Sequence, residues 1–225
     1  MTAETARPAA ADPAALAARL IDAAAEVVIA HADRLTELDS AIGDGDHGHN
    51  MKRGFQAMRE QRDAIAAEPP AKALQQAGMA LVMKVGGASG PLYGSFLMGM
   101  GKAAGPRPPA DLAQFAALVR AGVEAVASRG KSKAGEKTML DVLIPVADVL
   151  VAAAAEGVDG VEAAARARRA ADDGLAATEP MRASKGRASF LGERSIGHLD
   201  PGAKSSCLIV HAACDVLAGP AGEGS

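Results

Sequence analysis

A stripe of apolar side chains between residues 112 and 126 constrains the fold of this chain more than any other feature. Its members recur at intervals of three and four residues: Leu112, Phe115, Ala116, Val119, Val123 and Val126. This spacing places all of them on one face of an α-helix, whereas a half-buried strand needs apolar residues at every second position. No stretch of the sequence shows that alternation over the length of a strand. The chain is therefore predicted to be all-α.

Composition also favours closely packed helices. Hydrophobic residues make up 49% of the 225 residues, much of this is alanine, and aromatic residues make up only 2%. Alanine has the highest helix propensity, whereas strands are enriched in β-branched and aromatic residues. We expect a single domain over residues 13–219, between disordered tails at 1–12 and 220–225. About eight helices are predicted, covering residues 13–35, 50–65, 71–85, 91 onward, 111 onward, 138–155, 161–178 and 201–217.

Charge and hydropathy exclude two classes of partner. The net charge is −3, with acidic and basic residues mixed along the chain, whereas nucleic-acid-binding proteins present a basic face and stacking aromatic residues. Residues 14–30 are apolar, but Arg19, Asp22 and Glu26 among them argue against a membrane span. The N-terminus lacks the pattern of a secretory signal. We expect a cytoplasmic protein that binds neither nucleic acid nor membrane.

Two cysteines, Cys207 and Cys214, lie on the last predicted helix. Seven residues of helix separate them by about 10 Å, which is too far for a disulfide bond. His211 lies between them in a C-x3-H-x2-C pattern, but a structural zinc site uses four ligands, usually with a turn between ligand pairs. We favour two buried thiols on the core face of this helix, in a reducing compartment.

Three aspartates, Asp39, Asp44 and Asp46, are concentrated in a glycine-rich stretch at residues 38–50. Neighbouring carboxylates repel one another unless a cation neutralises them, and glycine lets the backbone turn tightly around a small ligand. Oxygen ligands favour Mg²⁺ or Ca²⁺, but the EF-hand pattern is absent. Because so few carboxylates are available, Mg²⁺ completed by substrate phosphates is the favoured ligand. The alternative is a solvated acidic turn that caps the following helix.

Four polar stretches follow the first, third, fifth and seventh predicted helices. They are residues 38–50, 86–91, 130–138 and 182–202, and each is richer in Gly, Asp, Ser, Lys or Arg than a simple chain reversal needs. In an up-and-down bundle, alternate connections lie at the same end. All four stretches are therefore expected to meet in one site at one end of the bundle.

Two of the four stretches suit a phosphate. Residues 86–90 (GGASG) precede a helix N-terminus, where backbone N–H groups bind anions. The last stretch carries basic side chains that can donate to phosphate: Arg182, Lys185, Arg187 and Arg194. Residues 135–138 (GEKT) are not a P-loop, because Glu136 breaks the pattern and no strand precedes it. Together with the aspartates, these stretches predict a Mg²⁺–nucleotide site.

The same stretches resemble the nucleotide-binding L subunits of bacterial dihydroxyacetone kinases. The resemblance lies in residues 38–50 (LDSAIGDGDHGHN), 86–92 (GGASGPL), 135–139 (GEKTM) and 185–202 (KGRASFLGERSIGHLDPG). It implies a single-domain barrel of eight antiparallel helices with Mg²⁺ and ADP or ATP at one end. By match to the motif, Asp39, Asp44 and Asp46 would bind two Mg²⁺ ions. The nucleotide pocket would be lined by His47, Asn50, Ala88, Ser89, Gly135, Thr138, Arg187, Asp200, Pro201 and Gly202.

The resemblance also implies a division of labour among subunits. ADP would be a tightly held cofactor, rephosphorylated by a phosphohistidine M subunit of the sugar phosphotransferase system. The resulting ATP would phosphorylate dihydroxyacetone held on a separate K subunit, and no side chain of this chain is assigned as catalytic. Three alternatives remain open: an ATP-consuming kinase subunit for another short ketose such as erythrulose, a Mg-ADP regulatory module, and a helical structural protein.

Overall fold

The computed structural model describes residues 12–218, and every regular element among them is a helix. Apart from Asp12, which caps the first helix by accepting from the Ala14 N–H at 3.0 Å, the predicted tails at 1–12 and 220–225 lie outside the described residues. The helices are α1 Pro13–Ala30, α2 Ala32–Ile42, α3 His47–Glu60, α4 Arg62–Ala66, α5 Pro70–Lys84, α6 Ser89–Ala103, α7 Leu112–Gly130, α8 Leu140–Glu156, α9 Gly160–Ala177, the 3₁₀ helix η1 Arg187–Ser195, and α10 Pro201–Ala218.

Eight of these helices close into a ring. Around the ring the order is α1, α3, α5, α6, α7, α8, α9 and α10, and α10 packs against α1 again. The chain reverses direction at each step, so that α3, α6, α8 and α10 all begin at the same end. Alanine and aliphatic side chains fill the interior, with Val28, Met51, Leu81, Leu140 and Val142 among the most deeply buried. The predicted barrel of eight antiparallel helices is confirmed.

The first predicted helix, residues 13–35, is wrong in its extent, because the chain forms two helices with a break at His31. The His31 ring folds back onto the end of α1, where Nδ1 lies 2.8 Å from the Val27 carbonyl oxygen. The second of these helices, α2, continues to Ile42. Asp39 therefore lies on a helix rather than in a loop, and the connection to α3 is only residues 43–46.

Other differences in the helices are small. The second predicted helix, residues 50–65, is also divided, because α3 ends at Glu60 and α4 begins at Arg62. The polar stretch after α9 was predicted as a loop and contains η1. Cys207 and Cys214 are both buried free thiols, as predicted. Among the described helices, none combines the length and apolar character that crossing a membrane requires.

Candidate functional site

The four polar stretches meet around a cavity of about 400 Å³ at one end of the barrel. Most of the predicted site residues line this cavity: Asp39, Asp44, Asp46, His47, Ala88, Ser89, Thr138, Arg187, Asp200, Pro201 and Gly202. Arg129 and Lys185 add further positive charge to its wall. The prediction that alternate connections share one end of the bundle is therefore correct.

The three predicted metal ligands come together at the N-terminus of α3. Asp39, Asp44 and Asp46 each present a carboxylate oxygen, and these oxygens lie within 4.8 Å of one another. Asp39 is held in place because its Oδ2 accepts the backbone N–H groups of Asp46 and His47, at 2.8 and 3.1 Å. The Arg187 Nε donates to Asp44 Oδ2 at 2.7 Å. The result is a set of hard oxygen donors with excess negative charge, which suits a divalent cation.

Two glycines allow this close approach of the carboxylates. A Cβ atom on Gly43 would lie only 2.1 Å from Asp39 Oδ1, so a side chain at this position would displace the carboxylate. Gly45 has φ +74°, which L-residues with side chains rarely adopt. The connection between α2 and α3 can therefore be short only with glycine at these positions.

Helix N-termini supply the opposite charge. The helices α3, α6, α8 and α10 begin at the cavity with His47, Ser89, Leu140 and Pro201, and all four residues line it. Each N-terminus carries a partial positive charge and backbone N–H groups without helical partners. Four such ends around one cavity form a site for an anion such as phosphate.

Two predicted pocket residues, Asn50 and Gly135, do not line the cavity. Asn50 is buried behind the 86–87 turn, and its Oδ1 accepts from Arg53 at 2.8 Å. The Gly135 N–H donates to Asp141, and Gly135 lies beside a second, shallow cavity on the other side of its loop. Neither of these two residues therefore lines the cavity in the structure.

Comparison with known proteins identifies the family. Residues 41–215 match the model of the DAK2 domain. The chain belongs to the DAK2 domain family. The ADP-binding subunit DhaL of PEP-dependent dihydroxyacetone kinase 1 from Listeria innocua is 48% identical over 79% of this chain and 84% of its own length. The corresponding subunit from Escherichia coli strain K12 is 42% identical over 80% of this chain and 86% of its own length.

A solved structure shares the fold of this DAK2 domain. The dihydroxyacetone kinase from C. freundii, in complex with AMP-PNP and Mg²⁺, aligns with a TM-score of 0.68 at 23% identity. The alignment covers 96% of this chain and 37% of that longer chain. The resemblance predicted from four sequence motifs is thus confirmed at the level of family and fold.

A buried hydrogen-bond network supports the pocket floor of the DAK2 domain. His47 lies between two serines, with Nδ1 3.0 Å from Ser89 Oγ and Nε2 3.0 Å from Ser205 Oγ. The Tyr93 hydroxyl is 2.7 Å from Ser205 Oγ and 2.8 Å from Ser206 Oγ. Burial lowers the pKa of His47, so the ring is neutral near pH 7. The network joins the first turns of α3, α6 and α10 and so fixes their relative positions.

Tyr93→Phe should lower the free energy of unfolding by about 1–2 kcal/mol, because the buried hydroxyls of Ser205 and Ser206 lose a partner that phenylalanine cannot replace. Chemical denaturation of wild type and variant measures the difference. An unfolding free energy unchanged within about 0.3 kcal/mol would contradict the importance of the network.

Asp200 has an unusual environment at the start of α10. Its Oδ2 accepts the Ala203 N–H at 2.7 Å, and its own N–H donates to Thr178 Oγ1 at 3.1 Å. Burial raises the pKa of Asp200 to about 7, and the nearby carboxylate of Asp141 acts in the same direction. In the metal-free protein this carboxyl group therefore holds a proton under mildly acidic conditions.

The raised pKa predicts a dependence of stability on pH in metal-free protein. Between about pH 4 and pH 7 the folded state keeps a proton on Asp200 that the unfolded chain has lost, so the contribution of Asp200 to stability falls as pH rises through this window. Asp200→Asn removes the titration and keeps an acceptor for Ala203. Denaturation in the presence of EDTA should show the variant gaining stability relative to wild type as pH increases. If the free energies of unfolding of wild type and variant change with pH in the same way, the raised pKa of Asp200 is contradicted.

Two residues that shape the site were not identified from the sequence. Lys137 is 1% exposed, and its ammonium group donates to the backbone carbonyls of Thr178, Glu179, Met181 and His198. It therefore joins the 135–138 loop to the stretch after α9, at the wall of the cavity, with its ammonium group held by backbone carbonyls. The four acceptors are backbone atoms, which no residue pattern reveals.

Asp141 is the other missed residue. It is buried in the first turn of α8 and accepts the backbone N–H groups of Gly135 and Thr138. This contact shapes the loop that lines the cavity at Thr138. The sequence does contain a signal for it, because Thr138 and Asp141 have the spacing of a capping box at a helix start.

Proposed function

We propose that this chain is the Mg²⁺–nucleotide subunit of a dihydroxyacetone kinase. It would relay a phosphoryl group through bound ADP, from a phosphohistidine M subunit of the phosphotransferase system to dihydroxyacetone on a separate K subunit. The main support is the meeting of three carboxylates and four helix N-termini around one cavity. A magnesium nucleotide carries both the cation and the anion that these two sets of groups attract.

The metal ligands in this proposal are Asp39, Asp44 and Asp46, holding two Mg²⁺ ions. Their donor set fits, because carboxylate oxygens are the ligands that Mg²⁺ prefers and bound phosphates complete its coordination. When bound there, Mg²⁺ would supply charge neutralisation at the phosphates. Arg187 neutralises Asp44 in the structure, and a cation at Asp44 would leave its guanidinium available to a phosphate.

The remaining pocket residues would position the nucleotide. The starts of α6 and α10 line the cavity with Ala88, Ser89, Pro201 and Gly202, and helix N-termini favour phosphate. His47, Thr138 and Asp200 complete the wall, with Asn50 and Gly135 holding it from behind. Phosphoryl transfer depends on positioning and electrostatic stabilisation more than on covalent chemistry by the protein. The proposal accordingly assigns no nucleophile to this chain.

A reconstituted reaction tests the proposal. The ADP-loaded protein is combined with Mg²⁺, a K-type subunit, dihydroxyacetone and a phosphorylated phosphohistidine carrier, and dihydroxyacetone phosphate is measured over time. We expect many turnovers at an ADP concentration no higher than that of the protein. Product formation only with added ATP would favour the ATP-consuming kinase, with erythrulose as a second substrate to try. Absence of transfer from either donor would leave the regulatory Mg-ADP module.

A further inference from the structure

A second group of metal-ligating side chains lies outside the nucleotide pocket, between α9 and α10. Asp172 projects from α9, and Cys207 and His211 project from α10. Asp172 Oδ1 is 3.4 Å from Cys207 Sγ and 3.0 Å from His211 Nε2. One ligand atom from each residue lies within 4.8 Å of the other two. Three different side chains of strong metal affinity thus converge on one point.

The helices explain why these residues converge. Cys207 and His211 are four residues apart, so they project from the same face of α10, one turn from each other. The helices α9 and α10 are neighbours in the ring, which places Asp172 opposite them. The Cys207 side chain is buried, whereas Asp172 and His211 reach solvent. A metal ion could therefore enter from solvent and reach the thiol between the two helices.

The two distances from the Asp172 carboxylate are close to those of a tetrahedral zinc site. With zinc bonds of about 2.3 Å to sulfur and about 2.0–2.2 Å to nitrogen and oxygen, neighbouring ligand atoms lie roughly 3.3–3.6 Å apart. The two contacts of Asp172 are within a few tenths of an ångström of that range. The third pair, Cys207 and His211, has its ligand atoms within 4.8 Å of each other.

We propose that Asp172, Cys207 and His211 form a binding site for Zn²⁺, with water as a fourth ligand. Thiolate and imidazole ligands select zinc or a similar transition metal over Mg²⁺. One thiolate and one carboxylate also balance the two positive charges of the ion. This site is separate from the magnesium site in both its residues and its ligand chemistry, and it does not depend on the proposed function.

Binding requires the loss of one proton. Burial and the contact with the Asp172 carboxylate raise the pKa of the Cys207 thiol to about 12, so the metal-free protein keeps the thiol protonated. The metal displaces this proton to solvent as the sulfur–metal bond forms, with no change in oxidation state. His211 binds through Nε2 as the neutral imidazole.

Cys214 provides a matched control on the same helix. It is also a buried free thiol, seven residues after Cys207, and it is not part of the group with Asp172 and His211. Metal binding through a thiolate should therefore depend on Cys207 and be independent of Cys214. The two cysteines also lie too far apart on α10 for one ion to bind both without unwinding the helix.

Cobalt(II) titration tests the site, because a thiolate ligand to Co²⁺ gives a charge-transfer band in the near ultraviolet. Reduced, metal-stripped protein is saturated with Mg²⁺ and ADP to occupy the carboxylate site, and Co²⁺ is then added. We expect a thiolate band that saturates at one equivalent and disappears when Zn²⁺ displaces the cobalt. Cys214→Ser should keep the band, and Cys207→Ser should abolish it.

The exposed ligand gives a second test that does not disturb the core. Asp172→Asn should weaken Co²⁺ binding by about 100-fold, because the carboxylate charge is lost. The Asp172 side chain is 59% exposed, so the substitution leaves the core intact. Absence of a thiolate band in wild type would overturn the proposal. A band that survives in Cys207→Ser, or one that disappears in Cys214→Ser, would overturn it equally.

Discussion

Asp44→Asn should weaken Mg²⁺-dependent ADP binding by about 100-fold or more, equivalent to about 2.7 kcal/mol, while the barrel stays folded. The substitution removes a full negative charge from a group of three carboxylates whose oxygens lie within 4.8 Å. The fold should tolerate it, because among residues 12–218 the only ion pair at Asp44 is with Arg187, which is 69% exposed. Such exposed pairs contribute about 0–1 kcal/mol. Calorimetric titration with and without Mg²⁺ measures the effect.

Asp33→Asn provides the control for this prediction. Asp33 is exposed on α2 and lies on the same helix as Asp39 without being part of the carboxylate group. It should therefore leave ADP affinity unchanged. Equal ADP affinity in Asp44→Asn and wild type at saturating Mg²⁺ would show that these carboxylates do not hold the metal. Loss of helical circular dichroism in Asp44→Asn would show that the carboxylate is structural.

Lys137→Met should lower the free energy of unfolding by about 3–5 kcal/mol, because four carbonyl groups lose a charged donor in a buried setting. Methionine retains most of the side-chain volume, so the change isolates the ammonium group. The two loops that Lys137 joins both line the nucleotide pocket, and ADP binding should weaken in parallel. Denaturant unfolding measures the first effect, and calorimetry measures the second.

Lys133→Met is the matched control, since Lys133 is exposed on the same loop. Its unfolding free energy should stay within about 0.5 kcal/mol of wild type. A similarly small effect in Lys137→Met would mean that the ammonium group and its carbonyl partners are solvated rather than enclosed. A large loss of stability with unchanged ADP affinity would show that Lys137 stabilises the fold but does not determine the shape of the pocket.

The fold could be predicted from the sequence in most respects, because helical periodicity and Pro or Gly at the boundaries are local signals. The break at His31 was missed, since the apolar pattern of α1 continues across it and the His31 ring contact with the Val27 carbonyl that accompanies the break leaves no residue pattern. The common end of the four polar stretches was predicted from the alternation of connections alone. That inference needs only chain direction, which the order of helices determines.

Contacts between distant residues could not be predicted in the same way. Lys137 donates to carbonyl groups 41 to 61 residues later in the chain. Every residue has a backbone carbonyl, so the sequence does not indicate which ones act as acceptors. The contact of Asp172 with Cys207 and His211 depends on how α9 and α10 are rotated about their axes. The C-x3-H-x2-C pattern of Cys207, His211 and Cys214 was set aside in favour of two buried thiols, whereas the structure groups Cys207 and His211 with Asp172 from α9 and leaves Cys214 out.

Nucleotide and metal content of the purified protein tests the central claim most directly. The protein is purified without added nucleotide, dialysed extensively and denatured, and the released ADP and magnesium are quantified. The account predicts about one ADP per chain, released together with Mg²⁺. An empty site that still binds Mg-ATP would favour the ATP-consuming kinase. A protein that carries no nucleotide and binds neither Mg-ADP nor Mg-ATP would contradict the account.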